Sequence, residues 1–323
     1  MKAIVYHRYG SPDVLRCEEI PSPTPASGEV LLRIAAAALN PLDWHFMRGT
    51  PYGFRFMSGL TRPKECRLGM DVAGRVEAVG PGVSRFNPGD EVFGVCRGAF
   101  AEAVCTPASN LIAKPPSLTF EQAASVPVAA FTALQALRNK GNIQAGQTLL
   151  INGAAGGVGT LAVQIAKSFG VHVTGVCSTR NVELVRSLGV DHVIDYTQED
   201  FTRAGRRYDL MLDCIGNHSL SACRRVLREQ GICLMVGAPP GRWIAPMGRF
   251  LRAGVLSRFS RRKLMPVVAK WSADDLSFVA GLMTTGRVTP VIDRRYPLNE
   301  VPQAIRYLEQ GHARGKVIIA VEA

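Results

Sequence analysis

The sequence lacks any long apolar run. No stretch reaches the roughly 18 consecutive apolar residues that a membrane-spanning helix needs, and Met1–His7 lacks the apolar core of a secretory signal. We therefore expect no membrane-spanning helix and a cytoplasmic address. With 47% hydrophobic and 20% charged residues over 323 positions, the composition is that of a globular protein long enough for two domains.

Closely spaced cysteines are also missing. The eight cysteines are scattered, and none forms a C-x-x-C pair. A disulfide framework or a structural zinc site is therefore not expected. Cys177 and Cys233 stand in apolar runs, which is typical of buried, reduced thiols.

Acidic residues are absent from Arg242–Lys270, here called the basic segment, which carries eight basic residues and accounts for much of the formal net charge of +12. It also carries apolar residues such as Trp243 and Phe259. Two interpretations stay open: a solvated helical face at a domain edge or a homodimer contact, or a weak contact with an anionic membrane surface. Because the excess charge is largely one segment, nucleic acid is not the partner we expect.

Two patterns divide the chain. Up to about residue 122, short β-branched runs alternate with Gly and Pro, which predicts a β-rich, barrel-like module. From there strands alternate with helices, and such crossovers require a doubly wound parallel sheet. The fold class is α/β, and the last run, Lys316–Val321, is expected to return to the first module. The expected domains are 1–122 with 272–323, and 123–271.

A glycine-rich loop follows the predicted strand Thr148–Asn152 and opens the predicted helix Gly157–Phe169. This strand–loop–helix context is typical of a Rossmann dinucleotide site. Glycines let the backbone approach a pyrophosphate, and the first amides of the helix point at its phosphates. The expected contacts come from Ala155, Gly156, Gly157, Val158 and Gly159.

The end of the next strand discriminates between the two nicotinamide cofactors. An NAD site usually places Asp or Glu about 20 residues beyond the loop, but Ser178 stands 22 residues after Gly156. Ser178, Thr179 and Arg180 can all donate to a 2′-phosphate, and no carboxylate at this point repels it. The sequence therefore predicts NADPH. The alternative is that Arg180 is only a solvated charge at the start of a helix.

At this point the chain resembles the medium-chain dehydrogenase/reductase superfamily, and most closely its zinc-independent quinone oxidoreductase branch, which includes zeta-crystallin and the reticulon-interacting mitochondrial reductase. The similarity covers essentially the whole chain. It is carried by the glycine loop and by the motifs Ala38–Asp43, Gly69–Gly74, Asn87–Val92, Ile194–Tyr196 and Gly311–Val317.

The resemblance implies a GroES-like substrate domain built from both chain ends, with the catalytic cleft between it and the cofactor domain. It also implies that Tyr196 lies near the adenosine phosphate. The residues it implies beside the nicotinamide half are Ile215, Gly216, Val236 and Gly237.

The zinc ligands of the alcohol dehydrogenase branch are missing from this sequence. By the resemblance, the three ligand positions fall within Asn40–Asp43, at Met70 and at Val128, and the structural-zinc lobe is absent between Val95 and Val104. A catalytic zinc needs three protein ligands, so we expect no metal. The expected reaction is hydride transfer from NADPH to a quinone or an activated alkene.

Four polar residues are candidates for contact with the small-molecule substrate: Asn40, Asp43, Tyr52 and Thr132. Each has a structural alternative, because Asn40 and Asp43 can fix a turn, Tyr52 can be a surface loop residue and Thr132 can serve packing. No catalytic residue is assigned. Two other functions stay open: reduction of another activated double bond, such as an enoyl thioester, and a cofactor-binding protein that acts through the basic segment on a membrane, RNA or a protein.

Overall fold

The structure, a computed structural model, describes residues 1–237, 245–258 and 260–321. Its contacts divide the chain into two compact units. Unit 1 comprises Met1–Val128, Trp271–Thr284 and Pro290–Ala323, and unit 2 comprises Ala129–Lys270 and Thr285–Thr289. Within the described part, no helix has the length and apolarity needed to cross a bilayer.

The strands and helices are numbered in chain order. The strands are β1 (Lys2–Val5), β2 (Arg16–Glu19), β3 (Glu29–Ala38), β4 (Asp71–Val79), β5 (Glu91–Val95), β6 (Ala103–Pro107), β7 (Leu111–Ala113), β8 (Thr148–Asn152), β9 (His172–Cys177), β10 (His192–Asp195), β11 (Tyr208–Asp213), β12 (Leu227–Met235), β13 (Lys263–Pro266), β14 (Ile292–Pro297) and β15 (Lys316–Ala320). The α-helices are α1 (Pro41–Arg48), α2 (Arg55–Ser58), α3 (Phe120–Ala124), α4 (Pro127–Leu134), α5 (Gly157–Ser168), α6 (Val182–Ser187), α7 (Leu220–Arg225), α8 (Ala245–Arg258), α9 (Ala273–Thr284) and α10 (Val301–Glu309).

Unit 1 is built on a sheet in the order β14-β15-β3-β4-β5-β7, with β6 also paired to β3. The last strand joins the first module, because β15 pairs antiparallel with β3 and sets Ile318 opposite Ala38. Apolar residues such as Leu32, Ile34, Val72 and Ile319 pack into its core. The chain ends thus meet in one β-rich unit, as expected for a GroES-like domain.

Unit 2 contains a sheet in the order β10-β9-β8-β11-β12-β13. All of its pairings are parallel. The central strand β8 is buried over Leu149–Asn152, as a strand covered on both faces must be. This confirms the predicted doubly wound parallel sheet.

The residues Thr119–Lys140 have a helical period in the sequence, but the structure interrupts the helix. Thr119 caps α3, since its Oγ1 accepts a hydrogen bond from the Gln122 amide at 3.1 Å. Pro127 then starts α4, because proline is tolerated only in the first turn of a helix. A π-helical turn over Gln135–Lys140 ends the stretch.

Candidate functional site: a dinucleotide edge and a buried polar cluster

The glycine loop lies at the carboxyl end of β8, where Gly153 has a φ of +89°. A Cβ on Gly159 would lie 2.1 Å from the Gly153 carbonyl oxygen, so only glycine lets α5 pack this closely on the loop. A Cβ on Gly156 would come no closer than 3.6 Å to any atom outside its immediate neighbours. A Cβ at Gly156 would therefore meet only an ordinary van der Waals contact, with the Gly153 carbonyl oxygen.

The predicted contact residues lie on this loop and on the first turn of α5. Gly156 is the N-cap residue, and Gly157, Val158 and Gly159 open the helix. Their amides have no carbonyl one turn earlier to bind, which makes a helix start a ready anion site. Ala155 is buried beside them. Space and donors thus fit a pyrophosphate, and contact of these five residues with a cofactor stays a prediction.

The neighbouring strands place the predicted adenosine-side residues together. Asp195 of β10 is opposite Cys177 of β9, and the Tyr196 amide donates to the Cys177 carbonyl oxygen at 3.0 Å. Ser178, Thr179 and Arg180 follow Cys177 directly, and the last two are exposed. Tyr196 is 58% exposed. These four residues therefore form one accessible polar cluster.

The carboxylate of Asp195 also lies at this cluster and is not among the residues predicted from the sequence. Asp195 comes from the next strand, and its Oδ1 accepts hydrogen bonds from the Thr197 amide at 3.0 Å and hydroxyl at 2.8 Å. A hydrogen bond from the Thr179 side chain, with those from Thr197, holds the pKa of Asp195 below its usual range. The end of β9 carries no acid, but an ionised one lies beside it. The signal available in the sequence was the acidic residue that ends the run His192–Asp195.

A buried carboxylate organises the predicted nicotinamide-side residues. Asp213, at the end of β11, is fully buried. Its Oδ1 accepts hydrogen bonds from Asn152 Nδ2 and the Gly216 amide, both at 2.9 Å, and from the Ile215 amide at 3.3 Å. Its backbone oxygen accepts from the amides that follow β12, those of Val236 at 3.0 Å and Gly237 at 2.9 Å.

The loops that follow β11 and β12 also contact each other directly. A Cβ on Gly237 would lie 2.4 Å from the carbonyl oxygen of Cys214, so glycine is required there. Ile215 is 48% exposed beside them. The structure therefore brings Ile215, Gly216, Val236 and Gly237 together at the carboxyl ends of β11 and β12, of which β11 pairs with β8.

The counter-charge of Asp213 comes from the basic segment. Arg249 of α8 donates through Nη2 to Asp213 Oδ2 at 3.1 Å, and its side chain is only 9% exposed. Nη1 donates to the His218 carbonyl oxygen. Arg249 is thus a buried structural cation and not part of a solvated face. Trp243 and Phe259 lie outside the described residues.

Two of the substrate candidates belong to a buried cluster in unit 1. Lys316 Nζ donates to Asn40 Oδ1 at 2.8 Å and to Asp71 Oδ2 at 2.9 Å. Asn40 Nδ2 donates to Asp71 Oδ2 at 2.9 Å, and the Val128 amide donates to Asp71 Oδ1 at 2.8 Å. Lys316 and Asp71 were not anticipated, although a lysine opening the apolar run Lys316–Ala320 was a signal.

Asp43 is fully buried next to this cluster. Its Oδ2 accepts from the Asn40 amide at 2.7 Å and its Oδ1 from the Gly69 amide at 3.1 Å. Burial raises the pKa of Asp43 to about 7, against the lowering effect of those two hydrogen bonds. The observed contacts of Asn40 and Asp43 fix the start of α1, and contact with a substrate stays a prediction for both.

The other two substrate candidates are Tyr52 in unit 1 and Thr132 in unit 2. The guanidinium of Arg55 lies 4.7 Å from the centroid of the Tyr52 ring, which is a cation–π distance. Thr132 lies on α4 in unit 2 and is 9% exposed. Their contact with a substrate also stays a prediction.

The three positions that the resemblance assigns to zinc ligands lie around Asp71. Asn40 and Val128 both hydrogen-bond its carboxylate, and Met70 precedes it in the chain. The ammonium of Lys316 supplies the positive charge at this point. Over residues 1–237, 245–258 and 260–321, no group of three or more His, Cys, Asp or Glu side chains is arranged to hold a metal ion.

Comparison with known proteins places the chain in a family. The family described as alcohol dehydrogenase GroES-like domain matches residues 26–116, and the one described as zinc-binding dehydrogenase matches residues 188–319. The chain is 34% identical to the chloroplast envelope quinone oxidoreductase homolog of Arabidopsis thaliana, over 99% of this chain and 98% of that protein. It is also 34% identical to the mitochondrial NAD(P)H oxidoreductase RTN4IP1 of Mus musculus, over 99% and 89%. The 2-methylene-furan-3-one reductase of Solanum lycopersicum is 34% identical over 99% and 79%.

Solved structures show the same fold. The quinone oxidoreductase from Coxiella burnetii superposes with a TM-score of 0.87 at 31% identity, over 100% of this chain and 99% of that one. A mycobacterial protein solved in complex with NADPH superposes with a TM-score of 0.82 at 27% identity, over 99% and 100%.

The expected cytoplasmic address is wrong by this comparison. The relatives from Arabidopsis thaliana, Spinacia oleracea and Triphysaria versicolor are named as chloroplast proteins, and the one from Mus musculus as mitochondrial.

The alignment with each of these four relatives covers 99% of the chain, so the family is established along its whole length. The chain belongs to the medium-chain dehydrogenase/reductase superfamily, within the quinone oxidoreductase family, and is an oxidoreductase.

Proposed function

We propose that the chain is a zinc-independent reductase that uses NADPH to reduce a quinone or an activated alkene. When bound, the reduced nicotinamide supplies a hydride. The observation that carries the proposal is the cluster of Ser178, Thr179, Arg180 and Tyr196 at the same edge of the sheet as the glycine loop. Hydroxyl and guanidinium donors at this place suit a ribose 2′-phosphate.

We propose that residues at the carboxyl ends of successive strands bind different parts of the cofactor. The amides of Gly157, Val158 and Gly159 bind the pyrophosphate, and Ser178, Thr179 and Arg180 bind the adenosine phosphate. Asp213 keeps the amides of Ile215 and Gly216 in place beside the nicotinamide. The mycobacterial neighbour solved with NADPH supports this cofactor.

The relatives' names support the two acceptor classes. Several are named quinone oxidoreductases, and one is named a 2-methylene-furan-3-one reductase, whose named substrate carries an alkene conjugated to a ketone. A charged Lys316 at the zinc-ligand positions supports a reaction without a metal, since a resident ammonium disfavours a second cation there. Turnover of NADPH with quinones, enones and enoyl thioesters tests the acceptor class.

The cofactor preference is tested at Arg180. Arg180→Ala removes a charge-assisted contact worth about 1.5–3 kcal/mol, so NADPH should bind about 10- to 100-fold more weakly. NADH affinity should hardly change, because NADH carries no 2′-phosphate. Fluorescence titration with both cofactors measures the difference.

The matched control is Arg186→Ala, which removes another exposed arginine of the same unit, one that pairs with Glu183 at 2.7 Å. It should leave both affinities unchanged. Equal affinity of the unmodified protein for NADPH and NADH would show that the preference is wrong.

A further inference from the structure

Three cations of the basic segment, at and after the end of α8, line an open depression of about 640 Å³ on unit 2. Its wall comes from β12, β13, the last residue of α8 and the chain between α8 and β13. The lining residues are Gln230, Ile232, Arg258, Ser260, Arg261 and Lys263.

The depression is set back along the sheet from the cofactor residues. Ile232 pairs with Lys263, the first residue of β13, and lies three residues before Met235, where β12 ends. Ser178, Tyr196, Ile215 and Val236 follow the carboxyl ends of β9, β10, β11 and β12. Because every strand of this sheet runs in the same direction, the four residues from Ile232 to Val236 place the depression about 13 Å back along β12 from the cofactor residues.

Positive charge dominates the depression. No carboxylate is among its lining residues. Arg261 is paired with Glu229 at 2.7 Å, and Lys263 Nζ donates to the Ser257 carbonyl oxygen at 2.9 Å. Arg258 is exposed and has no ion-pair partner in the described part of the chain. Of the three lining cations, Arg261 is thus ion-paired, whereas Arg258 and Lys263 have no carboxylate partner among the described residues.

A further guanidinium stands behind Ser260. Arg224 Nη2 donates to Ser260 Oγ at 3.0 Å, and the Arg262 amide donates to the same oxygen at 3.1 Å. Arg224 Nε is buried and has no hydrogen-bond partner among the described residues. Arg224 is not among the lining residues, so it adds positive charge behind Ser260 rather than a direct contact with an anion.

We propose that this depression binds a phosphate-bearing anion. Guanidinium and ammonium groups bind phosphate oxygens through strong, charge-assisted hydrogen bonds, and Ser260 and Gln230 add neutral donors. The volume falls in the range of small-molecule sites, about 300–1,000 Å³, and Ile232 supplies an apolar wall. A free phosphorylated compound and a phospholipid headgroup share this chemistry.

The test compares the unmodified protein with three variants, using the same probes for all four proteins. The depression variant carries Arg258→Ser, Arg261→Ser and Lys263→Ser. The control variant carries Arg203→Ser, Arg206→Ser and Arg207→Ser, which removes the same charge from exposed positions of the same unit. Arg203 pairs with Asp200 as Arg261 pairs with Glu229, so the two sets match in pairing as well. The single change Arg258→Ser, at a residue with no ion pair to lose, guards against misfolding.

Inorganic phosphate is the soluble probe, measured by calorimetry, and phosphatidylserine vesicles are the lipid probe, measured by co-sedimentation. The depression variant should bind at least one probe about tenfold or more weakly than the unmodified protein and the control, and Arg258→Ser should show part of that loss. Loss with phosphate identifies a soluble ligand, and loss with vesicles alone identifies a headgroup. NADPH affinity should be equal in all four proteins. If the depression and control variants bind both probes like the unmodified protein, the proposal is overturned.

Discussion

Lys316→Met should lower the free energy of unfolding by about 3–5 kcal/mol, the cost of leaving a buried charge without its partner. The side chain of Lys316 is 6% exposed and that of Asp71 is fully buried, with Nζ 2.9 Å from Oδ2. Without the ammonium, the donors left to the Asp71 carboxylate within the described part of the chain are the Asn40 amide group and the Val128 amide. Urea denaturation measures the loss.

The matched control is Arg75→Met, which breaks an ion pair of similar length, 2.7 Å to Glu91, on the surface of the same unit. Exposed pairs contribute about 0–1 kcal/mol, so this variant should unfold nearly as the unmodified protein does. The double variant Lys316→Met, Asp71→Asn removes both charges and should recover part of the loss. An effect of Lys316→Met no larger than that of Arg75→Met would contradict the structural role of the cluster.

Arg249→Met should have a comparable effect in unit 2, with a consequence for the cofactor. Asp213 is fully buried and Arg249 nearly so, so removing the guanidinium should again cost about 3–5 kcal/mol. Because Asp213 also holds the amides of Ile215 and Gly216, NADPH should bind more weakly as well. Thermal unfolding and cofactor titration measure the two effects.

Two variants separate charge from geometry at this pair. Arg249→Lys keeps the charge but has no second arm for the His218 carbonyl oxygen, so it should recover only part of the stability. Arg203→Met breaks an exposed pair of the same unit and should change neither measurement. If Arg249→Met matches Arg203→Met, the buried pair does not organise the loop.

The parallel sheet could be predicted because its signal is local. Several strands of unit 2 contain a short apolar run that a helical period separates from the next, as in Thr148–Asn152 and Gly157–Ser168. The glycine loop was recognisable for the same reason. Local patterns are less reliable where they compete: Val288–Ile292 has the pattern of a strand, but β14 begins only at Ile292. The Thr289 amide instead donates to Gln164 Oε1 at 2.7 Å.

The polar clusters were beyond prediction because their partners are distant in the chain. Lys316 and Asp71 are 245 positions apart, and Arg249 and Asp213 are 36 apart. Counting basic residues in the sequence does not show which side chains are buried. Nothing in the sequence therefore distinguished Arg249 from the exposed arginines of the basic segment. In the same way, Asp195 reaches the cofactor edge from a neighbouring strand, where a search along β9 alone does not find it.

The most direct test of the proposed function is turnover by protein of known metal content. Purified protein should contain no stoichiometric zinc, should oxidise NADPH in the presence of a quinone or an enone, and should keep that rate after treatment with a chelator. Elemental analysis and loss of the reduced-nicotinamide absorbance measure both properties on one sample. About one zinc per chain, with activity lost on chelation, would contradict the account, as would the absence of NADPH oxidation with every acceptor.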